Sequence, residues 1–261
     1  MLGDPVAHSL SPAIHTAALV ACNIEGTYVA RSVDEAGLRD AIVEIRYGSL
    51  TGANVTMPHK NAAFAGCDDV SGGALRTGAV NTLVGVDGSV IGHNTDIAGI
   101  ATAWAWANLP REGPVLILGA GGAASAALVA LEGRELSIAA RRRSAAAALL
   151  ATTRVEAATV DWAEPVSGAV VVNATPLGMK GESLPEDVVA GGSALFEMAY
   201  GTGPTPATVA MEKRHLSVSA GTEMLLAQAA RSFELWTGLS APLESMRDGL
   251  RSELARRAAA D

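Results

Sequence analysis

The sequence predicts an α/β protein organised as two domains. Three observations predict it. Strand-like and helix-like runs alternate along the 261 residues. A stretch bracketed by proline, Leu109 to Pro114, separates two such series and is the clearest linker. Directly after it, Val115-Leu116-Ile117-Leu118 runs into Gly119-Ala120-Gly121-Gly122-Ala123-Ala124 and then an alanine-rich helix to Leu131. A continuous apolar run suits a strand buried on both faces. G-x-G-x-x-A between such a strand and a helix is the turn by which a doubly wound sheet lets its backbone approach a dinucleotide pyrophosphate.

Composition narrows the class. Hydrophobic residues make up 49% and charged residues 18%, which suits a globular chain with a large core. Only 4% is aromatic, so that core rests on Ala, Val, Leu and Ile. No run of about 18 apolar residues indicates a membrane span, and no basic-then-apolar start indicates a signal peptide. Cys22 and Cys67 are the only cysteines, which fits a reducing cytoplasm and offers no metal-ligand spacing. A formal net charge of −8 argues against nucleic acid or an anionic membrane as partner. Anionic ligands would then depend on local cations and backbone N–H groups.

Taken in order, the chain opens on a turn at Gly3-Asp4-Pro5. Ser11-Pro12 then reads as a helix start, with Ser11 as N-cap and Ala13 to Cys22 continuing. Ser9 and Ser11 bracket that helix N-terminus, a place where carboxylates are readily held. Thr27 to Val33 alternates as a strand, Asp34 to Tyr47 carries a helical apolar face, and Leu50 to Val55 is the next strand. This traffic predicts a parallel layer. The strand feeds Asn54-Val55-Thr56-Met57-Pro58-His59-Lys60. Asn54 and Thr56 are two apart and face one way on a strand, and Pro58 suits the first helical position. Lys60 falls in the first helical turn, a poor place for a structural lysine because the helix dipole opposes its charge. One short segment thus presents an amide, a hydroxyl and an amine.

Asp68 to Gly78 reads as a loop with a helical turn. Val84 to Val86 and Ser89 to Gly92 flank Asp87-Gly88, the strongest short hairpin signal. Asn81 precedes the hairpin, and Asn94-Thr95-Asp96 follows it, ahead of an apolar helix to Trp106. Beyond the glycine turn, Leu136 to Ala140 is the second strand of the unit. An acid at its end would bind ribose hydroxyls; Arg141-Arg142-Arg143 stands there instead, which favours a 2′-phosphate and hence NADP. Ala145 to Ala151 is helical and Val155 to Val160 strand-like. Ala169 to Val172 ends in Asn173-Ala174-Thr175, Ala194 to Met198 ends near Tyr200, and Leu216 to Ser219 is closed by Gly221. Met224 to Thr237, carrying Gln228, and Pro242 to Arg257 are the last helices.

These motifs, in this order, resemble the shikimate dehydrogenase family: Ser9-Leu10-Ser11-Pro12, Asn54 to Lys60, Ala79-Val80-Asn81-Thr82, Asn94-Thr95-Asp96, Gly119 to Ala123, Asn173-Ala174-Thr175, Met198 with Tyr200, and Gly221 with Gln228. The resemblance spans nearly the whole chain. It implies reversible NADPH-dependent reduction of 3-dehydroshikimate to shikimate, in aromatic amino acid biosynthesis. It implies an N-terminal α/β substrate domain, residues 1–97 plus 223–261, completed by the C-terminal helices. A Rossmann-like NADP-binding domain, 98–222, is inserted, with the active site in the cleft. Lys60 and Asp96 correspond to the catalytic pair. Ser9 and Ser11 would hold the substrate carboxylate. Asn54, Thr56, Asn81, Tyr200 and Gln228 would contact ring hydroxyls or order the site. Gly119, Ala120, Gly121, Gly122, Ala123, Arg141, Arg142, Arg143, Thr175, Met198 and Gly221 would line the cofactor. No metal or membrane is implied, and the chain would act as a monomer or homodimer.

Three departures from the family pattern stand out. The first strand is shorter, Ala140-Arg141-Arg142 replaces the usual Asn-Arg-Thr, and Glu197 replaces an aspartate. Rival readings are a quinate-oxidising, NAD-using paralogue, a non-catalytic nucleotide or cyclic-acid sensor, and a methylene-tetrahydrofolate type of dehydrogenase. The arginines argue against the first, the presence of both Lys60 and Asp96 against the second, and the paired serines against the third.

Overall fold

The computed structural model describes residues 1–201 and 203–259. The chain divides into two compact units, Met1–Thr95 with Gln228–Asp261, and Asp96–Ala227.

In the first unit, β1 (Leu2–Gly3) pairs in parallel with β2 (Arg31–Ser32), and Leu2 also bridges Val55 in parallel. A second sheet has the order β3 (Gly52–Asn54), β5 (Thr82–Val86), β6 (Ser89–His93), β4 (Asp69–Val70). Its β3–β5 and β5–β6 pairs are antiparallel and only β4–β6 is parallel. The expected parallel layer is present where β1 lies between β2 and Val55, while the β3-β5-β6-β4 sheet is mixed. The Asp87-Gly88 hairpin forces the reversal; both residues have positive φ, 48° and 78°, the geometry of a two-residue primed turn.

Helix α1 (Ser11–Ala21) has Leu10, not Ser11, at its N-cap, and Leu10 makes no capping side-chain bond. Helix α2 (Glu35–Arg46) is capped by Asp34, whose carboxylate accepts from Gly37 N at 2.8 Å. Leu38, Ala41, Ile42 and Ile45 of α2 pack with Ala53, Val55, Leu83 and Val90 into the core of this unit. Helix α3 (Lys60–Gly66) begins two residues later than expected; Pro58 follows a cis peptide bond and lies in the preceding turn. The loop at Asp68 to Gly78 contains β4 and α4 (Gly72–Thr77). Only Arg31–Ser32 of the expected Thr27–Val33 strand pairs, because β1 offers two residues to pair with.

The second unit starts with α5 (Asp96–Trp106) and continues through β7 (Val115–Leu118), α6 (Gly122–Ala130), β8 (Leu136–Ala139), α7 (Arg143–Thr153), β9 (Ala158–Val160), β10 (Val170–Asn173), α8 (Glu186–Gly191), β11 (Ala194–Glu197), α9 (Pro206–Lys213) and β12 (Val218–Ser219). The six strands form one sheet, β12-β11-β10-β7-β8-β9, with every pair parallel. Apolar clusters cover both of its faces: Ile117, Ile138, Val172 and Phe196 on one, Leu116, Leu118, Val171 and Leu195 on the other. The proline-bracketed stretch 109–114 lies inside this unit and does not separate domains. Leu109 is buried and Trp104 of α5 donates to Pro110 O at 3.0 Å, which fastens the segment to its helix.

Helix α10 (Gly221–Thr237) starts at Gly221, three residues before the sequence pattern does, and α11 (Leu243–Ala258) follows. In the first unit α11 packs on α1. The crossing is close at Gly249, where a β-carbon would lie 2.7 Å from Ala17 Cβ and 2.8 Å from Ala13 O. Among the described residues, no helix is long and apolar enough to cross a membrane, and no group of three acidic, His or Cys side chains could hold a metal.

Candidate active site

The first unit gathers its polar residues into one buried network. Asn54 ends β3 and is 3% exposed. Its Nδ2 lies within 2.9–3.2 Å of Ser232 Oγ, Thr82 Oγ1 and Asn81 O, and its Oδ1 accepts from Tyr28 Oη at 2.6 Å. Asn81 Oδ1 accepts from Thr95 N at 2.8 Å and from Thr82 Oγ1 at 3.0 Å, and Asn81 Nδ2 donates to Thr95 Oγ1 at 3.0 Å. Thr95 Oγ1 also meets Ser232 Oγ at 3.1 Å and Gln228 Oε1 at 3.5 Å. Asn54 is thus saturated by internal bonds, and its geometry matches ordering of the site more than contact with a ligand. Thr82, Thr95, Ser232 and Tyr28 also belong to this network; Thr82 and Thr95 stand in the quoted motifs, whereas Ser232 and Tyr28 carry no local sequence signal.

Thr56 lies just beyond β3, half-buried, with its N–H on Leu2 O at 2.9 Å and its carbonyl accepting from His59 N at 2.9 Å. His59 is buried, with Nε2 2.7 Å from Val33 O. These bonds fix the turn that delivers half-buried Lys60 to the first turn of α3. The Lys60 carbonyl accepts from Val80 N at 3.0 Å, which ties this helix start to the segment bearing Asn81.

The two serines sit at the start of α1. Ser9 Oγ accepts from Ser11 N at 3.2 Å, and Arg257 of α11 holds the preceding loop by donating to His8 O at 2.6 Å and Ser9 O at 3.0 Å. Ser11 Oγ is 1% exposed at residue level and has no hydrogen-bond partner among the described residues. A buried orphan hydroxyl costs about 1–3 kcal/mol unless a ligand satisfies it. The start of a helix is a setting that favours an anion.

In the second unit the glycine turn joins β7 to α6. Gly119 has φ +118°, and a β-carbon there would lie 2.7 Å from Ala174 O, so only glycine fits. Gly121 caps α6 with no side-chain bond, and a β-carbon on it would meet nothing within 4 Å. The N–H groups of Gly122, Ala123 and Ala124 precede the first intrahelical bond and lack an intrahelical acceptor. This cradle fits a pyrophosphate. Arg141, Arg142 and Arg143 follow β8 and are exposed. Arg143 is held by Asp161, with Nε 3.0 Å from Oδ1, leaving Arg141 and Arg142 as the better placed for a phosphate.

At the carboxyl ends of β10 and β11 lie Asn173, Thr175, Glu197, Met198 and half-buried Tyr200. Glu197 is 1% exposed and accepts from Asn173 Nδ2 at 2.7 Å, Ala199 N at 2.8 Å and Thr205 Oγ1 at 2.8 Å. Burial pushes its carboxyl up to about 7, against the pull of those donors. Asp96, 5% exposed, is the first residue of α5 and directly follows Thr95 of the network.

A parallel sheet with β7 to β12 in the order 3-2-1-4-5-6 reversed, with a glycine turn after its first strand, defines a dinucleotide-binding protein. The lysine-bearing segment and the asparagine–threonine network of the other unit add the polar side chains of an oxidoreductase acting on a small oxygenated substrate. The particular relationship is closer. The chain belongs to the shikimate dehydrogenase family. The family descriptions "Shikimate dehydrogenase substrate binding domain" and "Shikimate 5'-dehydrogenase C-terminal domain" match residues 1–83 and 221–251. A shikimate dehydrogenase (NADP(+)) of Thermus thermophilus is 36% identical over 97% of both chains. The crystal structure of a shikimate 5-dehydrogenase from the same species, in complex with NADP(H) and shikimate, superposes with a TM-score of 0.88 at 36% identity, over 96% of this chain and 97% of that one. A further shikimate dehydrogenase in complex with NADP+ gives a TM-score of 0.90 at 28% identity, over 97% and 94% of the two chains.

Proposed function

We propose that this chain is a cytoplasmic NADP-dependent shikimate dehydrogenase, reducing 3-dehydroshikimate reversibly to shikimate. The observation that carries the reading is the orphaned Ser11 hydroxyl at the start of α1, beside Ser9: a place for the carboxylate of a cyclic acid. Membership of the family supports the same substrate.

The cradle at Gly119, Ala120, Gly121, Gly122 and Ala123 holds the cofactor pyrophosphate, with Arg141 and Arg142 on the 2′-phosphate. Thr175, Met198 and Gly221 line the nicotinamide side. Bound NADPH supplies the hydride. Lys60 gives a proton to the substrate oxygen during reduction and takes one back during oxidation, and the Asp96 carboxylate orients the reacting hydroxyl. Acid–base help of this kind is worth about 10²- to 10⁴-fold. Asn54 and Asn81 keep the network rigid, while Thr56, Gln228 and Tyr200 contact ring hydroxyls.

The test is a spectrophotometric assay that follows NAD(P)H formation with shikimate or quinate, each with NADP⁺ or NAD⁺. Turnover is expected to be highest for shikimate with NADP⁺. Absence of turnover with every pair, or preference for quinate with NAD⁺, overturns the reading.

A further inference from the structure

Glu197 touches no solvent and takes no part in the chemistry above, yet three separate segments of the second unit aim donors at its carboxylate. Asn173 comes from the end of β10, Ala199 from the loop after β11, and Thr205 from the cap of α9. Each partner passes the constraint on. Asn173 Oδ1 accepts from Thr175 Oγ1 at 2.6 Å and Thr175 N at 3.1 Å, and Asn173 Nδ2 also reaches Leu177 O at 2.9 Å. Asn173 O accepts from Met198 N at 3.1 Å. Ala199 O presses on Gly221, where a β-carbon would lie only 2.3 Å away. Thr205 caps α9 through Thr208 N at 3.2 Å and packs on Gly178, whose β-carbon position is 2.8 Å from Thr205 Cγ2.

We propose that Glu197 is a positioning residue for the dinucleotide: one buried carboxylate joins the loops that follow β10 and β11, so that Thr175 and the Met198–Tyr200 backbone are presented in a single arrangement. The inference rests on the dinucleotide reading and deepens it. Glu197, Asn173 and Thr205 are 1%, 0% and 3% exposed, so none of them meets the ligand; they act through the residues they hold. Open parallel sheets bind ligands at this end of their strands, which is why a tie placed here bears on affinity. A glutamate suits the position because two oxygens accept from three donors at once, which an amide cannot match without turning an N–H₂ towards one of them.

The experiment measures NADPH binding to the full chain by fluorescence titration, together with KM for shikimate and the unfolding midpoint. In Glu197→Gln the remaining oxygen still accepts from Asn173 and Ala199, and the NADPH Kd stays within about 3-fold. In Glu197→Ala three buried donors lose their shared acceptor, both loops lose their tie and the NADPH Kd rises about 30-fold, while KM for shikimate stays within about 2-fold. Thr205→Val removes one donor without changing shape and raises the Kd about 5-fold; it decides the matter where Glu197→Ala fails to fold. Folded variants that all bind NADPH as the parent does overturn the positioning role. A parent chain that binds no NADPH overturns the dinucleotide reading itself, so the two failures are distinct.

Discussion

Single side chains carry three of the expectations. Lys60→Ala should lower kcat by about 10²- to 10⁴-fold while changing KM little, since the amine acts in the transition state; unchanged turnover would remove Lys60 from the chemistry. Ser11→Ala should separate stability from affinity. It deletes a buried hydroxyl with no partner, so the ligand-free chain should melt no lower than the parent, whereas KM for shikimate should rise about 10-fold. A lowered melting temperature with unchanged KM would make Ser11 structural. Glu197 carries the third. Its folded carboxyl titrates at about 7 against an ordinary 4.5, so between those values the folded chain keeps a proton that the unfolded chain has lost. Stability from this group is full below 4.5, falls as pH rises through that window, and is flat above 7. The total corresponds to on the order of 3 kcal/mol. His15, depressed to about 3 by burial, acts in the opposite sense: its contribution is lost as pH falls below its unfolded value. Comparing the parent with Glu197→Gln cancels His15. The difference should move in favour of the variant between about pH 4.5 and pH 7 in thermal unfolding, and a difference independent of pH would refute the assignment.

Elements show what a single sequence can and cannot reveal. The glycine turn and the Asp87-Gly88 hairpin were legible because their chemistry is local: φ of +118° at Gly119 and positive φ at both turn residues require the residue types found there. Helix α9 went unread although Thr205-Pro206 is a cap followed by proline, a signal that could have found it; α8, with six residues, offers too short a pattern. In the first unit strand–helix alternation foretells the parallel pairing of β1 with β2 and Val55, but it says nothing about β5 pairing antiparallel beside β3. The network around Asn54 was half legible. Asn54 and Asn81 stand in motifs, but Ser232 is 178 positions from Asn54 and reaches it only through the fold. The close crossing of α1 and α11 was equally hidden. Gly249→Val should force the two helices apart there, costing about 1–3 kcal/mol of stability. Because Arg257 of the same helix holds the loop of His8 and Ser9, KM for shikimate should rise as well. A variant with parental melting temperature and KM would show that the crossing has slack.

At the scale of the whole molecule, the charge is the informative quantity. A chain of net charge −8 that binds a cofactor carrying several phosphates must concentrate its cations where the phosphates lie. At physiological ionic strength the Debye length is about 8 Å, so the distant acids are largely screened and the arginines beside β8 act locally. They do not act equally. Arg143 is engaged by Asp161 and would have to leave it to meet a ligand, while Arg141 and Arg142 stand exposed ahead of α7. The 2′-phosphate is the one group that distinguishes NADP⁺ from NAD⁺, so the loss should appear in the ratio of the two affinities. Replacing Arg141 and Arg142 together by alanine should weaken NADP⁺ by about 10- to 100-fold, the worth of one or two charge-assisted contacts. NAD⁺, which lacks that phosphate, should change by less than about 3-fold, and Arg143→Ala should move the ratio less than the double variant does. Equal losses for both dinucleotides would mean that these arginines serve the pyrophosphate or the general field, and that the 2′-phosphate is recognised elsewhere.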